Sequence, residues 1–265
     1  MSDEPLSVLI ITVDEQYYIP RILRDVLESE MVDIRGITTL SPTLGTQGLI
    51  PFIIELYRSF GPRVFAQHLG FYGKYRLMDN LNRLLGWGRP FSPKALAARN
   101  NVEYRHVDDI NSSDYVSYAR EVNPDVLLSV AATQKFDSTL LSVPEKCAIN
   151  IHSSLLPEYR GVSPSFWTLR YDEPETGVTV HYMHDEIDTG DVIVQQSVPI
   201  RDDDTLHTLN TRVADVGSEV LLDALEQIRQ GNVDATPIDA EEGSYYSMPD
   251  REDVRAFLDQ EREFF

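Results

Sequence analysis

The sequence has little cysteine, little lysine and no long apolar run, and each shortage excludes something. Cys147 is the only cysteine in 265 residues, so neither an internal disulfide nor a Cys-rich zinc site is possible. No stretch of about 18 apolar residues occurs, and none therefore reads as a membrane-spanning helix. The opening residues, Met1-Ser2-Asp3-Glu4-Pro5, lack the basic start of a signal peptide, and the chain reads as cytoplasmic. Lysine is confined to Lys74, Lys94, Lys135 and Lys146, and 43 acidic against 23 basic residues leave a net charge of −20. That balance argues against a nucleic-acid partner, because phosphate neutralisation needs a basic face. Acid-rich, lysine-poor surfaces resemble those of proteins from high-salt cytoplasm, where self-repulsion is screened. The first apolar run, Ser7 to Val13, is not followed by G-x-G-x-x-G, which removes the dinucleotide fingerprint.

What is present is ordinary for a globular chain, with 42% hydrophobic and 25% charged residues and length enough for a full core. Ser7–Val13 and Pro124–Val130 are continuous apolar runs that read as buried strands, with Val32–Thr38 and the short Val102–Val107 between them. Helices are expected from about Pro20 to Glu30 and from the capping run Asn111-Ser-Ser-Asp to about Val122, while Ala95–Arg99 reads as the end of another. Val192–Pro199 reads as a strand. Thr205 to Gln230 is a long amphipathic helix with Leu209, Val213, Val220, Leu221 and Leu225 at helical spacing, stopped at Gly231. The remaining residues, with Tyr245-Tyr-Ser-Met-Pro249 and an acidic helix from Arg251, read as a tail folded back on the same domain.

The chemistry concentrates between Ala148 and Ile193. A short apolar strand there carries Asn150 and His152 at alternate positions, on one face. A second apolar strand, Gly177 to His181, ends in a polar turn containing Asp188-Thr-Gly190. If both strands share one mixed sheet, their polar ends converge in the crevice where such sheets bind ligands. An amide donor, an imidazole and a carboxylate then suit a reaction through a tetrahedral intermediate, with Asn150 and His152 facing the oxyanion and Asp188 managing protons. Taken singly, the same residues fit a satisfied turn histidine and ordinary Asp-Thr-Gly turn chemistry. His181 and His184, with His152 and Asp188, permit a metal site as an alternative, although in an extended segment the first two would face opposite sides.

The motifs Asn150-Ile-His152, Ser154 to Gly161 (SLLPEYRG), Gly177-Val-Thr and Asp188-Thr-Gly190 resemble those of the formyltransferases that use N10-formyltetrahydrofolate, a family including methionyl-tRNA formyltransferase, phosphoribosylglycinamide formyltransferase and sugar-nucleotide amine N-formyltransferases. The resemblance spans most of the chain and is sharpest from Pro124 to Pro199. It implies a Rossmann-like formyltransferase fold of α/β class, a mixed but mainly parallel sheet flanked by helices, over residues 1–200 with a helical insertion at about 49–91. A helix and short appendage over 201–265 would pack on the same domain. It places the family's catalytic Asn, His and Asp on Asn150, His152 and Asp188. A positional match lays the folate pocket on Gln134, Lys135, Phe136 and Leu141, where a plain strand-to-helix turn is the other reading. The loop Tyr182, Met183, His184, Asp185, Glu186 and Ile187 would serve the pteridine ring. No resident metal is implied; N10-formyltetrahydrofolate is the expected co-substrate.

The implied reaction is formyl transfer to a small-molecule primary amine. The run VDEQYYIP does not resemble the phosphate loop of the ribonucleotide enzymes, and the chain has no room for the tRNA-binding barrel, so an amino-sugar nucleotide is expected by elimination. A formyltetrahydrofolate hydrolase, a methionyl-tRNA formyltransferase-like enzyme and a non-catalytic folate-binding scaffold are the alternatives.

Residues 49–91 stand apart. This stretch holds six basic residues (Arg58, Arg63, Lys74, Arg76, Arg83, Arg89) against Glu55 and Asp79, interleaved with aromatics from Phe52 to Trp87. Two or three helices are expected, broken near Gly61-Pro62 and again at Gly70–Gly73, with residues 41–48 as a loop. Three roles compete: packing on the sheet or a dimer partner with snorkelling arginines, a hold on the acceptor's diphosphate and ring, and a peripheral membrane contact.

Overall fold

The first apolar run becomes strand β1, Leu6–Val13, in which every residue is buried. Such a run can be satisfied only at the centre of a sheet covered on both faces. In the computed structural model, which describes residues 4–41, 49–85, 88 and 90–265, this is what surrounds it. The expected loop over 42–48, Trp87 and Arg89 lie outside the described residues, as does the side chain of Arg83.

Helix α1 (Tyr18–Glu28) leads to β2 (Val32–Leu40), which pairs parallel with β1. The basic stretch forms α2, Leu49–Leu85. It is kinked at Gly61, whose φ of 71° and ψ of 171° are unsuited to a side-chain-bearing residue, and Pro62 then opens the second half. The second expected break does not occur: the helix runs through Gly70 and Gly73, because α-helical φ/ψ is open to glycine at modest cost when one face is packed. Helix α3 (Pro93–Arg99) is a separate element rather than the end of a longer helix. Ser92 caps it, and Asp79 of α2 accepts from Ser92 Oγ (2.8 Å) and from Phe91 N–H (3.0 Å).

Next come β3 (Tyr104–His106), α4 (Ser113–Val122, capped by Ser112), β4 (Val126–Val130), the one-turn α5 (Ser138–Leu141) and β5 (Cys147–His152). A two-residue strand β6 (Arg160–Gly161) and α6 (Pro164–Arg170) precede β7 (Glu175–Tyr182) and β8 (Val192–Pro199). The long α7 (Leu206–Gln230) has a capping box at Thr205 and Thr208 and ends at Gly231 in the left-handed region. Two short elements, β9 (Tyr245–Tyr246) and α8 (Arg251–Asp259), close the chain.

The main sheet has the order β3-β2-β1-β4-β5-β7-β8, parallel through β5 and antiparallel at β7 and β8. The order reverses between β1 and β4, so the carboxyl ends of those strands form the crevice where open α/β sheets take ligands. The inner face of α2 packs on this end of the sheet: Phe60 meets Phe264, Phe71 meets Tyr17, and Val64 is buried. Among the described residues no helix is long and apolar enough to cross a membrane.

Candidate active site

Alternation along β5 puts Asn150 and His152 on one face, but β7 runs antiparallel beside it, with His181 opposite Asn150 and Thr179 opposite His152. The polar end of β7 therefore lies next to the start of β5, and the expected convergence of two strand ends does not arise. The loop after β7 turns back instead. Asp188, at φ 54°, adopts the left-handed conformation that Asp tolerates better than most residues. At Gly190 a Cβ would come within 1.9 Å of the Tyr182 carbonyl oxygen, so only glycine lets the loop return this closely.

The carboxylate of Asp188 arrives between two buried histidines. Its Oδ2 lies 3.5 Å from His152 Nδ1 and accepts from Gly161 N–H at 2.9 Å; its Oδ1 lies 3.5 Å from His181 Nε2. Burial pushes this carboxyl up, but His152, His181 and the Gly161 N–H outweigh it and hold the group well below the usual carboxylate range. Asp188 is therefore an anion that stays charged while 8% exposed.

The two histidines are oriented by main-chain carbonyls. His152 Nε2 donates to Tyr159 O at 2.9 Å, leaving Nδ1 toward Asp188, and His181 Nδ1 donates to Tyr182 O at 2.8 Å. Asn150 Nδ2 lies 3.2 Å from His181 Nε2 and 3.3 Å from Asp188 Oδ1. The Asn150 amide thus borders both the imidazole and the carboxylate, on the wall of the same cavity.

The motif loop between β5 and α6 is clamped from the tail. Tyr159 N donates to Ser244 Oγ (2.9 Å), Arg160 N to Ser244 O (2.9 Å) and Val162 N to Tyr246 O (2.9 Å), pairing β6 with β9. Tyr246 stacks between Tyr159 and Trp167, with ring centroids 5.4 and 4.7 Å away. Gly161, at φ 94°, would drive a Cβ to 2.3 Å from Tyr246 O, so glycine is required where this loop presents its N–H to Asp188.

These groups border a cavity of about 370 Å³. Asn150, His152 and Asp188 line it together with Gln134, Lys135, Phe136, Met183, His184, Glu186 and Ile187. Leu141, Tyr182 and Asp185 are absent from its lining: Leu141 packs against the core from α5, Tyr182 ends β7 facing a different cavity, and Asp185 is exposed. Two further residues serve structure first. Phe136 is 2% exposed in the core, and Gln134 is tied to the chain at 108–110, its Oε1 accepting from Ile110 N–H and its Nε2 donating to Asp108 O. The sequence presents His181 only as a metal ligand, Gly161 only as the end of a motif and Tyr245 only as part of the tail, whereas all three line the cavity; for His181 the missing signal was the strand register that puts it across from Asn150. Among the described residues no group of three or more His, Cys, Asp or Glu has the arrangement of a metal site.

A second cavity, about 480 Å³, shares Thr133 and Ser163 with the first and lies at the β1/β4 reversal. The inner face of α2 contributes Phe52, Phe60 and Tyr72, α7 contributes Asn210, and Phe264 and Phe265 close it. Arg76, exposed, stands at its rim. Glu15 borders it and also stoppers the start of α1: its carboxylate accepts from the N–H groups of Tyr17, Tyr18 and Ile19 at 2.7–2.9 Å. Burial pushes its pKa up, against the pull of those three donors. An anion-binding helix start is thus already filled from within the chain.

A mixed sheet reversing at β1/β4, with Asn150 and His152 on β5 meeting Asp188 from the loop after β7, defines an α/β protein with a polar site on its sheet. The sequence profile of the family described as Formyl transferase matches residues 88–225, just over half of the chain, and the protein belongs to that family. The methionyl-tRNA formyltransferase of Caldanaerobacter subterraneus subsp. tengcongensis is 34% identical over 58% of this chain and 51% of that protein. That of Listeria monocytogenes serovar 1/2a is 32% identical over 73% and 63%. The chain thus spans about half to two thirds of the length of such curated relatives. In fold it is similar to a sugar N-formyltransferase from Shewanella sp FDAARGOS_354, with a TM-score of 0.57, 20% identity and coverage of 92% and 77%.

Proposed function

We propose that this chain transfers a formyl group from N10-formyltetrahydrofolate to a primary amine, with Asn150, His152 and Asp188 at the reacting atoms. The observation that carries the reading is the Asn150 amide beside a buried, ionised Asp188 and His152, on the wall of one cavity that shares Thr133 and Ser163 with a second. The first cavity suits the folate by its own composition: Thr133, Gln134, His184 and Glu186 offer polar groups at its edges, and Met183 and Ile187 offer apolar surface for a flat ring. Bound there, the folate supplies the formyl carbon. Asn150 then donates an amide N–H to the formyl oxygen as negative charge develops. The amine nitrogen attacks the formyl carbon, the bond from that carbon to N10 breaks, and the proton the amine loses ends on N10 of the released tetrahydrofolate. Asp188, anionic at rest with His152 Nδ1 3.5 Å away, is the charge partner of the amine while that proton moves. The residues assigned to the catalytic unit are 1–200, with 201–265 packed on it.

For the acceptor, an amino-sugar nucleotide is the reading we favour. Its support is the second cavity, which joins the first through Thr133 and Ser163 and carries Arg76 at its rim, and the similarity of fold to a sugar N-formyltransferase. A ribonucleotide phosphate would need the α1 start, which Glu15 fills. The curated relatives bring aminoacyl-tRNA as the second reading.

The test is tetrahydrofolate release from N10-formyltetrahydrofolate with and without amino-sugar nucleotides and charged tRNA. Release that depends on one acceptor, falling by about 10²–10³-fold in Asn150→Ala and in Asp188→Ala while both variants stay folded, is the expected result. Near-normal rates in both variants would sink the assignment, and release with no acceptor would make the chain a hydrolase.

A further inference from the structure

Nine of the thirteen large apolar side chains that stay exposed among the described residues belong to one element, α2. They are ordered along it. In the half before the kink, Ile50, Ile53, Ile54 and Tyr57 fall at i, i+3, i+4 and i+7, one face of a helix. In the half after it, Leu69, Leu77, Leu81 and Leu84 follow the same rule with Gly70 and Gly73 between them. Val64, His68, Tyr72, Tyr75 and Asp79 occupy the opposite side and face the protein. The helix is therefore apolar on two faces, and only one of them is covered by this chain.

The charges on α2 point to what covers the other. Arg58, Arg63, Lys74 and Arg76 are exposed, and none of them forms an ion pair among the described residues, although the chain carries 43 acidic residues. Asp79 is buried and hydrogen-bonded to the start of α3, which leaves Glu55 as the single exposed acid of the helix. An uncovered leucine and isoleucine stripe flanked by unpaired cations, on a chain of net charge −20, is complementary to a surface that is apolar within and anionic at its edge. A second copy docked through the same helix by a two-fold axis would cover the stripe but bring four more cations and only Glu55 to offset them. A nucleic acid would pair with the cations but leave the leucines uncompensated. A helix that rests on the surface without crossing it also fits the hydropathy, since no described helix is apolar enough to span.

We infer that α2 is a membrane-surface helix, seating the protein on an anionic bilayer through its two apolar stripes and basic flanks. The rest of the surface, strongly acidic, is repelled from such a bilayer and so fixes which side of the molecule faces it.

The experiment is co-sedimentation of the full chain with vesicles of phosphatidylglycerol in phosphatidylcholine, and with phosphatidylcholine alone, alongside light scattering of the free protein. Binding is expected to the anionic vesicles, weakened by about tenfold or more in Leu77→Glu/Leu81→Glu and reduced in Arg63→Glu/Lys74→Glu. Both variants lie outside the two cavities and are checked for an unchanged melting curve. Absence of vesicle binding by the wild-type chain overturns the inference, whether the protein is then a monomer, a dimer that Leu77→Glu/Leu81→Glu dissociates, or a binder of added tRNA. Vesicle binding that both variants keep undiminished overturns it equally, because the lipid would then be held elsewhere.

Discussion

Asp188 illustrates how one residue is prepared by its surroundings. Alone, a carboxyl this buried would tend to take up a proton; here two imidazoles and one backbone N–H reverse the tendency and hold its pKa down. The consequence for stability has a definite sign. A carboxyl depressed in the folded state contributes stability that is complete above the ordinary aspartate pKa and is lost as pH falls below about 4, because the unfolded chain takes up the proton first. Thermal midpoints measured from neutral to acid pH should fall more steeply below about pH 4 in the wild type than in Asp188→Asn, which has no carboxyl to titrate. Parallel curves would mean that Asp188 is not held as described. His68 and His207, both lowered by burial, add a dependence of the same sign below about pH 6.5, present equally in wild type and variant.

Among the elements, the tail contributes most that is unexpected. A two-residue strand holds the Tyr159–Gly161 loop and thereby the N–H that Asp188 accepts. Tyr246→Ala removes the ring between Tyr159 and Trp167, and kcat should drop by about tenfold or more while the fold is kept, since small displacements at a reacting centre cost much. An unchanged kcat would show the clamp to be dispensable. This part was not legible in the sequence, where β9 is two tyrosines in a polar run with no periodicity to read. Elements whose burial is local were legible: β1 and β4 from unbroken apolar runs, α7 from its spacing and its stop at Gly231. That Asn150, His152 and Asp188 lie together was legible from motif and alternation, but the route by which Asp188 reaches the other two was not, because strand direction is set by pairing partners distant in sequence. The continuity of α2 through Gly70 and Gly73 was missed for a related reason: the packing of Phe71 and Tyr75 on Tyr17 outweighs the weak helix preference of glycine.

For the molecule as a whole, charge is the dominant fact. At −20 over 265 residues, self-repulsion opposes the compact state at low ionic strength. Raising salt from about 0.1 M to 1 M shortens the screening length from roughly 10 to 3 Å, and the melting temperature should climb by several degrees over that range. A flat or falling curve would place the acidic residues in compensated pairs instead. The sequence supplies this expectation and also the uneven distribution, six basic against two acidic residues in 49–91; what the structure adds is that the exposed cations of α2 form no ion pair among the described residues.

The bond from Gly161 N–H to Asp188 joins the carboxylate of the site to a strand pair completed by the tail. Under mass action, a ligand that engages only the assembled arrangement raises the free energy of every opening that would dismantle it. Occupancy of the cavity and retention of the tail are thus linked quantities, each tightening as the other is secured, although neither Tyr246 nor Ser244 needs to touch the ligand.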